Sequence, residues 1–142
     1  MKYRVLLFGF VLCAGVNAGE MNRERAHFNY QMFCQGCHAP GGASVDERVP
    51  RMKDHVGTFI NSASGREFLV RVPGSAMSSL NDEELAEVLN WIVLEFSGQS
   101  LTAPFESYTA TEVGTLRQRP LNEVEKYRAL LLADIAGAEK RE

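Results

Sequence analysis

Cys34-Gln35-Gly36-Cys37-His38 gathers two thiols and an imidazole within one short run of chain. On a helical turn, residues three apart share a face, so both thiols can add to the two vinyl groups of one porphyrin. The next residue, His38, then brings its imidazole under the ring, where it can bind iron from the proximal side. C-x-x-C-H is accordingly the pattern of covalent haem attachment. Paired cysteines serve two other chemistries, and the flanking residues speak against both. A thioredoxin-like redox pair sits where a strand gives way to a helix. Here Ala26 to Phe33 reads as helix before the pair, and Ala39-Pro40-Gly41-Gly42 is a breaker after it. A structural zinc site needs a second pair of ligands at metal-finger spacing, and His27 and His55, the other two histidines, do not form one.

Upstream, residues 1–18 read MKYRVLLFGFVLCAGVNA. Lys2 and Arg4 begin it, Val5 to Val16 is almost wholly apolar, and Val16-Asn17-Ala18 offers the small residues of a cleavage site, so an export signal removed before Gly19 is expected. The alternative is a retained anchor, for which the apolar run falls short of the roughly 20 residues a membrane span needs. Cys13 follows Leu12 where a lipoprotein signal wants a small residue, and so leaves with the signal.

The chain has 142 residues, 45% of them hydrophobic and 23% charged, the composition of one domain with a real core rather than of a disordered or repetitive chain. A net charge of -3 gives no basic footprint for nucleic acid. Losing Lys2 and Arg4 with the signal leaves 13 basic (15 less 2) against 18 acidic residues, or -5. The three cysteines are too few for a disulfide scaffold, and only Cys34 and Cys37 survive processing. The mature product is expected to be soluble and periplasmic.

Residues 20–97 resemble the class I, monohaem c-type cytochromes in several further places. A helix from about Asn22 into Cys34 carries Tyr30 and Phe33 ahead of the haem motif. Val49-Pro50-Arg51-Met52 comes next, with Pro50 twelve residues after His38. Pro73-Gly74-Ser75-Ala76-Met77 looks like the family's Pro-Gly-Thr-x-Met loop, with Ser75 where threonine is usual. Asn81-Asp82-Glu83-Glu84 is an N-cap with a glutamate three residues on. Leu85, Val88, Leu89, Ile92, Val93 and Phe96 then lie on one helical stripe, and Trp91 matches the aromatic of the family's last core helix, which crosses the first helix near Tyr30.

The resemblance implies an all-α fold around one covalently attached haem c: residues 1–18 a signal peptide, 19–97 the haem domain, 98–142 a helical C-terminal extension. It implies covalent attachment through Cys34 and Cys37, proximal ligation by His38, the Pro50 carbonyl as acceptor for the proximal imidazole, and Met77 as distal ligand. A thioether is a soft neutral ligand that favours ferrous iron and raises the reduction potential. His55, Met52 and an open distal site are the alternatives. Met52 is explained by packing, Met32 reads as filler inside the first helix, Met21 stands at the mature terminus, and His55 and His27 read as surface residues.

In the extension, Thr109-Ala110-Thr111-Glu112 is a capping-box pattern. Pro120 can open a further helix with Leu121, Val124, Tyr127, Leu131 and Ile135 on one stripe. That stripe either wraps back on the core or docks a partner. The function expected is a non-enzymatic electron carrier. Its partners would be an exported dehydrogenase as donor and a membrane oxidase or reductase as acceptor. The alternatives are a haem enzyme or small-ligand binder with an open distal site, and a dedicated electron-transfer subunit that uses residues 98–142 as its interface.

Overall fold

A computed structural model describes residues 21–46 and 48–141; the signal peptide expected at residues 1–18 lies outside them. Seven α-helices occupy the described residues, with no strand and only a single antiparallel bridge between His38 and Ser44. They are α1 (Arg23–Phe33), α2 (Val56–Ile60), α3 (Ala63–Arg71), α4 (Pro73–Ala76), α5 (Asp82–Phe96), α6 (Ala110–Leu116) and α7 (Val124–Glu139). None is long and apolar enough to cross a membrane.

Helix α5 is the spine. The Asn81 side chain accepts from the Glu84 amide at 2.9 Å, and Glu84 reaches back to the Asn81 amide at 3.2 Å, the reciprocal capping box expected. Asp82, Glu83 and Glu84 add negative charge where the helix dipole is positive. All six residues of the apolar stripe are buried, each stabilising the fold by about 1.5–3 kcal/mol relative to exposure.

Helix α1 starts at the Asn22 cap, whose side chain accepts from the Arg25 amide at 3.0 Å. It buries Ala26, Asn29 and Tyr30, one face by their spacing, against α5. Tyr30, Trp91 and Phe96 meet pairwise with ring centroids 5.1–5.3 Å apart, in tilted and edge-on arrangements that suit the ring quadrupoles. A charged contact fastens the same crossing: the buried Glu87 carboxylate accepts from Arg25 Nε at 2.7 Å and from the Asn22 amide at 2.7 Å. Met32 is not core filler; it lies 61% exposed, and Phe28 58%, on the side of α1 away from Tyr30. His27 is exposed as expected, with its ring stacked on Trp91 at 5.1 Å.

The loop after α1 is held against α5 by Gly42. Its φ is +73°, and a Cβ there would sit 2.9 Å from the Phe96 ring and 3.2 Å from the Lys53 nitrogen. Gly41 has nearly the same φ, +72°, but open space around it. Gly41→Ala is expected to cost about 1 kcal/mol from backbone strain alone. Gly42→Ala adds overpacking and should cost about 2 kcal/mol or more, a difference readable in paired urea melts. Equal losses would mean that the Phe96 contact does not constrain the loop.

The extension wraps back on its own core. Residues 101–108 run without helix, and asparagines satisfy their backbone, as burial requires: Asn61 Oδ1 accepts from the Thr102 and Ala103 amides, and Asn90 exchanges two bonds with Tyr108. Thr109 caps α6 through the Glu112 amide at 3.1 Å. The expected box is only half formed, because the Glu112 carboxylate goes instead to Arg66, at 2.6 and 2.7 Å. Pro120 does not open the last helix. The Leu121 amide is drawn to the Arg71 carbonyl at 2.9 Å, and α7 begins only at Val124. Its stripe then buries Leu131 and Ile135, with Leu121, against Phe59 and Phe68 of α2 and α3.

Candidate haem-attachment site

The Cys34–His38 turn grows directly out of α1. The Cys34 and Gln35 amides both donate to the Tyr30 carbonyl, at 2.9 and 3.0 Å, and the Cys37 and His38 amides to the Cys34 carbonyl, at 3.1 and 2.9 Å. The turn thus stays helical past the end of α1, which keeps the two thiols at the spacing the motif needs. Tyr30 also fixes the chain just beyond His38, its hydroxyl donating to the Ala39 carbonyl at 2.9 Å. Both cysteines are free thiols, Cys34 half-buried and Cys37 exposed.

The electrostatics oppose a redox-active pair. Burial, and secondarily Cys37, push the Cys34 thiol up to about 11, so it stays protonated at neutral pH. A catalytic cysteine has the opposite shift, gained at a helix N-terminus; Cys34 sits at a C-terminus, where the dipole disfavours a thiolate. Nor do the described residues contain any cluster of three or more His, Cys, Asp or Glu side chains that could hold a zinc ion.

His38 fits an iron ligand. Burial lowers its basicity, which keeps the imidazole neutral with a lone pair to give. Its Nδ1 is buried without a hydrogen-bond partner, an arrangement that folded proteins rarely leave uncompensated. The expected bond from His38 to the Pro50 carbonyl is therefore not made. Pro50 is exposed, and the neighbouring Val49 carbonyl is taken by the Ser44 hydroxyl, which closes Ser44 onto Val49.

Met77 stands on a separate element. Pro73 begins α4 at the position where its fixed φ suits a helix, so the expected loop is a single helical turn. Met77 caps it, its amide bonded to the Pro73 carbonyl at 3.0 Å. Ala76 is buried and anchors the turn, while Met77 is 76% exposed and belongs to neither apolar cluster, its thioether unclaimed by packing. The rival residues are occupied. Met52 is half-buried against the core, with its amide on the Gly42 carbonyl at 2.8 Å. His55 is exposed, with Nε2 2.7 Å from Arg51. Sequence reasoning missed Arg117, whose guanidinium reaches the chain on both sides of Met77; nothing local to position 117 announces it.

Two known proteins are similar to this chain. A cytochrome c-552 from Thermus thermophilus is 27% identical over 133 residues, covering 81% of this chain and 87% of that protein. Another cytochrome c-552 from Thermus thermophilus is 30% identical over 106 residues, covering 62% of this chain and 81% of that protein. No protein-family model matches the chain, and no solved structure does.

Proposed function

This chain belongs to the c-type cytochrome family, and from that premise we propose that it is an exported monohaem electron carrier between a periplasmic dehydrogenase and a respiratory acceptor. The observation that carries the reading is the Cys34–His38 turn, which sets two thiols at attachment spacing beside an imidazole whose Nδ1 is buried without a partner. When bound, the haem supplies one-electron exchange at its iron.

The chain's own residues hold and insulate that group. Cys34 and Cys37 would attach it through thioethers, and His38 and Met77 would supply the imidazole and thioether that hold its iron. Two protein ligands held on rigid elements limit reorganisation when the charge changes. Tyr30 and the α1–α5 crossing fix the proximal turn; α4 fixes the distal one. The acidic balance of the mature chain favours partners with a basic patch. Because residues 98–141 bury their stripe on α2 and α3, they support a self-contained carrier better than a subunit that spends its extension on a permanent interface.

Absorption spectra of the purified protein, oxidised and reduced, with and without carbon monoxide, test this. A low-spin spectrum with a near-infrared methionine-to-iron charge-transfer band and no carbon monoxide binding is expected. Ready carbon monoxide binding by the native protein would replace the carrier with a ligand-binding or catalytic haem protein.

A further inference from the structure

Arg117, at the end of α6, turns its guanidinium into the chain that carries Met77. Nε donates to the Ala76 carbonyl at 3.1 Å, Nη1 to the Leu80 carbonyl at 2.8 Å and to Asp82 Oδ1 at 3.0 Å, and Nη2 to the Ser78 carbonyl. The side chain is only 11% exposed. Carbonyls of residues 76, 78 and 80 thus converge on one cation from both flanks of Met77. They are the groups a short irregular turn leaves without backbone partners, and a planar five-donor fork serves four acceptors here where an ammonium has only three N–H groups. The same stretch of chain grips the other side of the turn: Arg71 Nε donates to the Arg119 carbonyl at 2.8 Å, and the Leu121 amide to the Arg71 carbonyl at 2.9 Å. Residues 117–121 therefore fasten at position 71 before α4, at Ala76 where it ends, and at positions 78–82 beyond it.

We propose that this segment is a strap that keeps Met77 on the haem iron, with Arg117 as its positioning residue. The proposal rests on Met77 being the distal ligand. A thioether is a weak ligand and yields to better donors whenever its loop swings away, so its retention depends on how rarely the loop opens. Opening between Ala76 and Asp82 must first break the bonds to Arg117. An incoming ligand binds only the open form, and its apparent affinity scales with the open fraction. The extension would in this way govern access to the iron without touching it.

Imidazole titrations of the ferric protein, followed through the near-infrared band, test the strap. Arg117→Ala should bind imidazole about tenfold or more tightly than the native protein, in proportion to the larger open fraction. In a Met77→Ala background the distal site is already vacant, so adding Arg117→Ala should leave imidazole affinity within about twofold, as expected when the open fraction no longer matters. A general loss of structure would instead move both backgrounds alike, and that outcome overturns the proposal. Arg117→Lys keeps a charge beside Asp82 without the fork and should shift affinity in the same direction by less; it serves if the alanine variant does not fold. Amide exchange across residues 76–82 should quicken in both arginine variants. A native protein that shows the methionine band, with Arg117 variants of unchanged affinity, removes the strap and leaves the carrier standing. A native protein without the band removes both.

Discussion

Cys34→Ala together with Cys37→Ala is expected to yield a chain whose haem is fully extracted by acidified organic solvent, where the native protein keeps it through denaturation. Each single variant should retain one thioether, and its reduced pyridine complex should absorb at longer wavelength because one vinyl group is left unsaturated. The structure gives a reason to expect unequal singles. Both amides are bonded, that of Cys34 to the Tyr30 carbonyl and that of Cys37 to the Cys34 carbonyl, but the Cys34 side chain is half-buried whereas that of Cys37 is exposed. Attachment at Cys34 therefore starts from the better-ordered side chain, and Cys37→Ala should retain more haem than Cys34→Ala. His38→Ala should leave the thiols in place but deprive the iron of its proximal nitrogen, giving a high-spin spectrum or no stable product. Full retention of two thioether links in the double variant is chemically impossible for a Cys34–Cys37 attachment, so any such result would move the cofactor elsewhere. Mass spectrometry of the denatured variants, reading one haem, a weaker fraction or none, is the deciding measurement.

What could be read from the sequence was what short stretches decide by themselves. The attachment turn spans one helical turn, so its chemistry is complete within Cys34–His38. Helix α5 announces itself through Asn81, Glu84 and a stripe whose burial is dictated by its period, and Trp91 meets Tyr30 as the resemblance implies. Two misses share a cause: groups far apart in sequence claim partners that local patterns assign elsewhere. Glu112 left its cap for Arg66, and the Leu121 amide turned from an expected helix start to the Arg71 carbonyl. Met32 obeys the same logic in reverse, a residue with core chemistry left on the outer face because Ala26, Asn29 and Tyr30 had already filled the inner one. Periodicity alone could have separated those two faces. Arg25 with Glu87, Asn90 with Tyr108 and Arg117 with the Met77 turn could not have been paired from spacing, since each depends on how helices cross. The Pro50 bond differs again: it was carried over from a family pattern, and here the Ser44 hydroxyl satisfies the neighbouring Val49 carbonyl and holds that stretch to itself.

Met77→Ala is expected to convert a closed haem site into an open one. With the thioether gone, no side chain of α4 can replace it, since Pro73, Gly74, Ser75 and Ala76 offer no soft or nitrogen donor. The ferric iron should then become high-spin, the near-infrared band should vanish, and the ferrous form should bind carbon monoxide. The sign of the potential shift comes from ligand preference: methionine stabilises ferrous over ferric iron, so its loss should lower the midpoint by on the order of 100 mV, a modest part of the ~0.8 V that axial ligation spans. A redox titration reads this directly. The informative contrary result is a variant that stays low-spin and six-coordinate with no added ligand, because another residue must then reach the iron. His55 would have to abandon its 2.7 Å contact with Arg51, and Met52 would have to leave the core and release the Gly42 carbonyl. Each move would break those contacts and lower stability beyond the loss of the Met77–iron bond itself. A high-spin variant whose ferrous form binds carbon monoxide therefore identifies Met77 as the ligand, whereas a variant that stays low-spin with no added ligand points to a replacement drawn from the 52–55 turn.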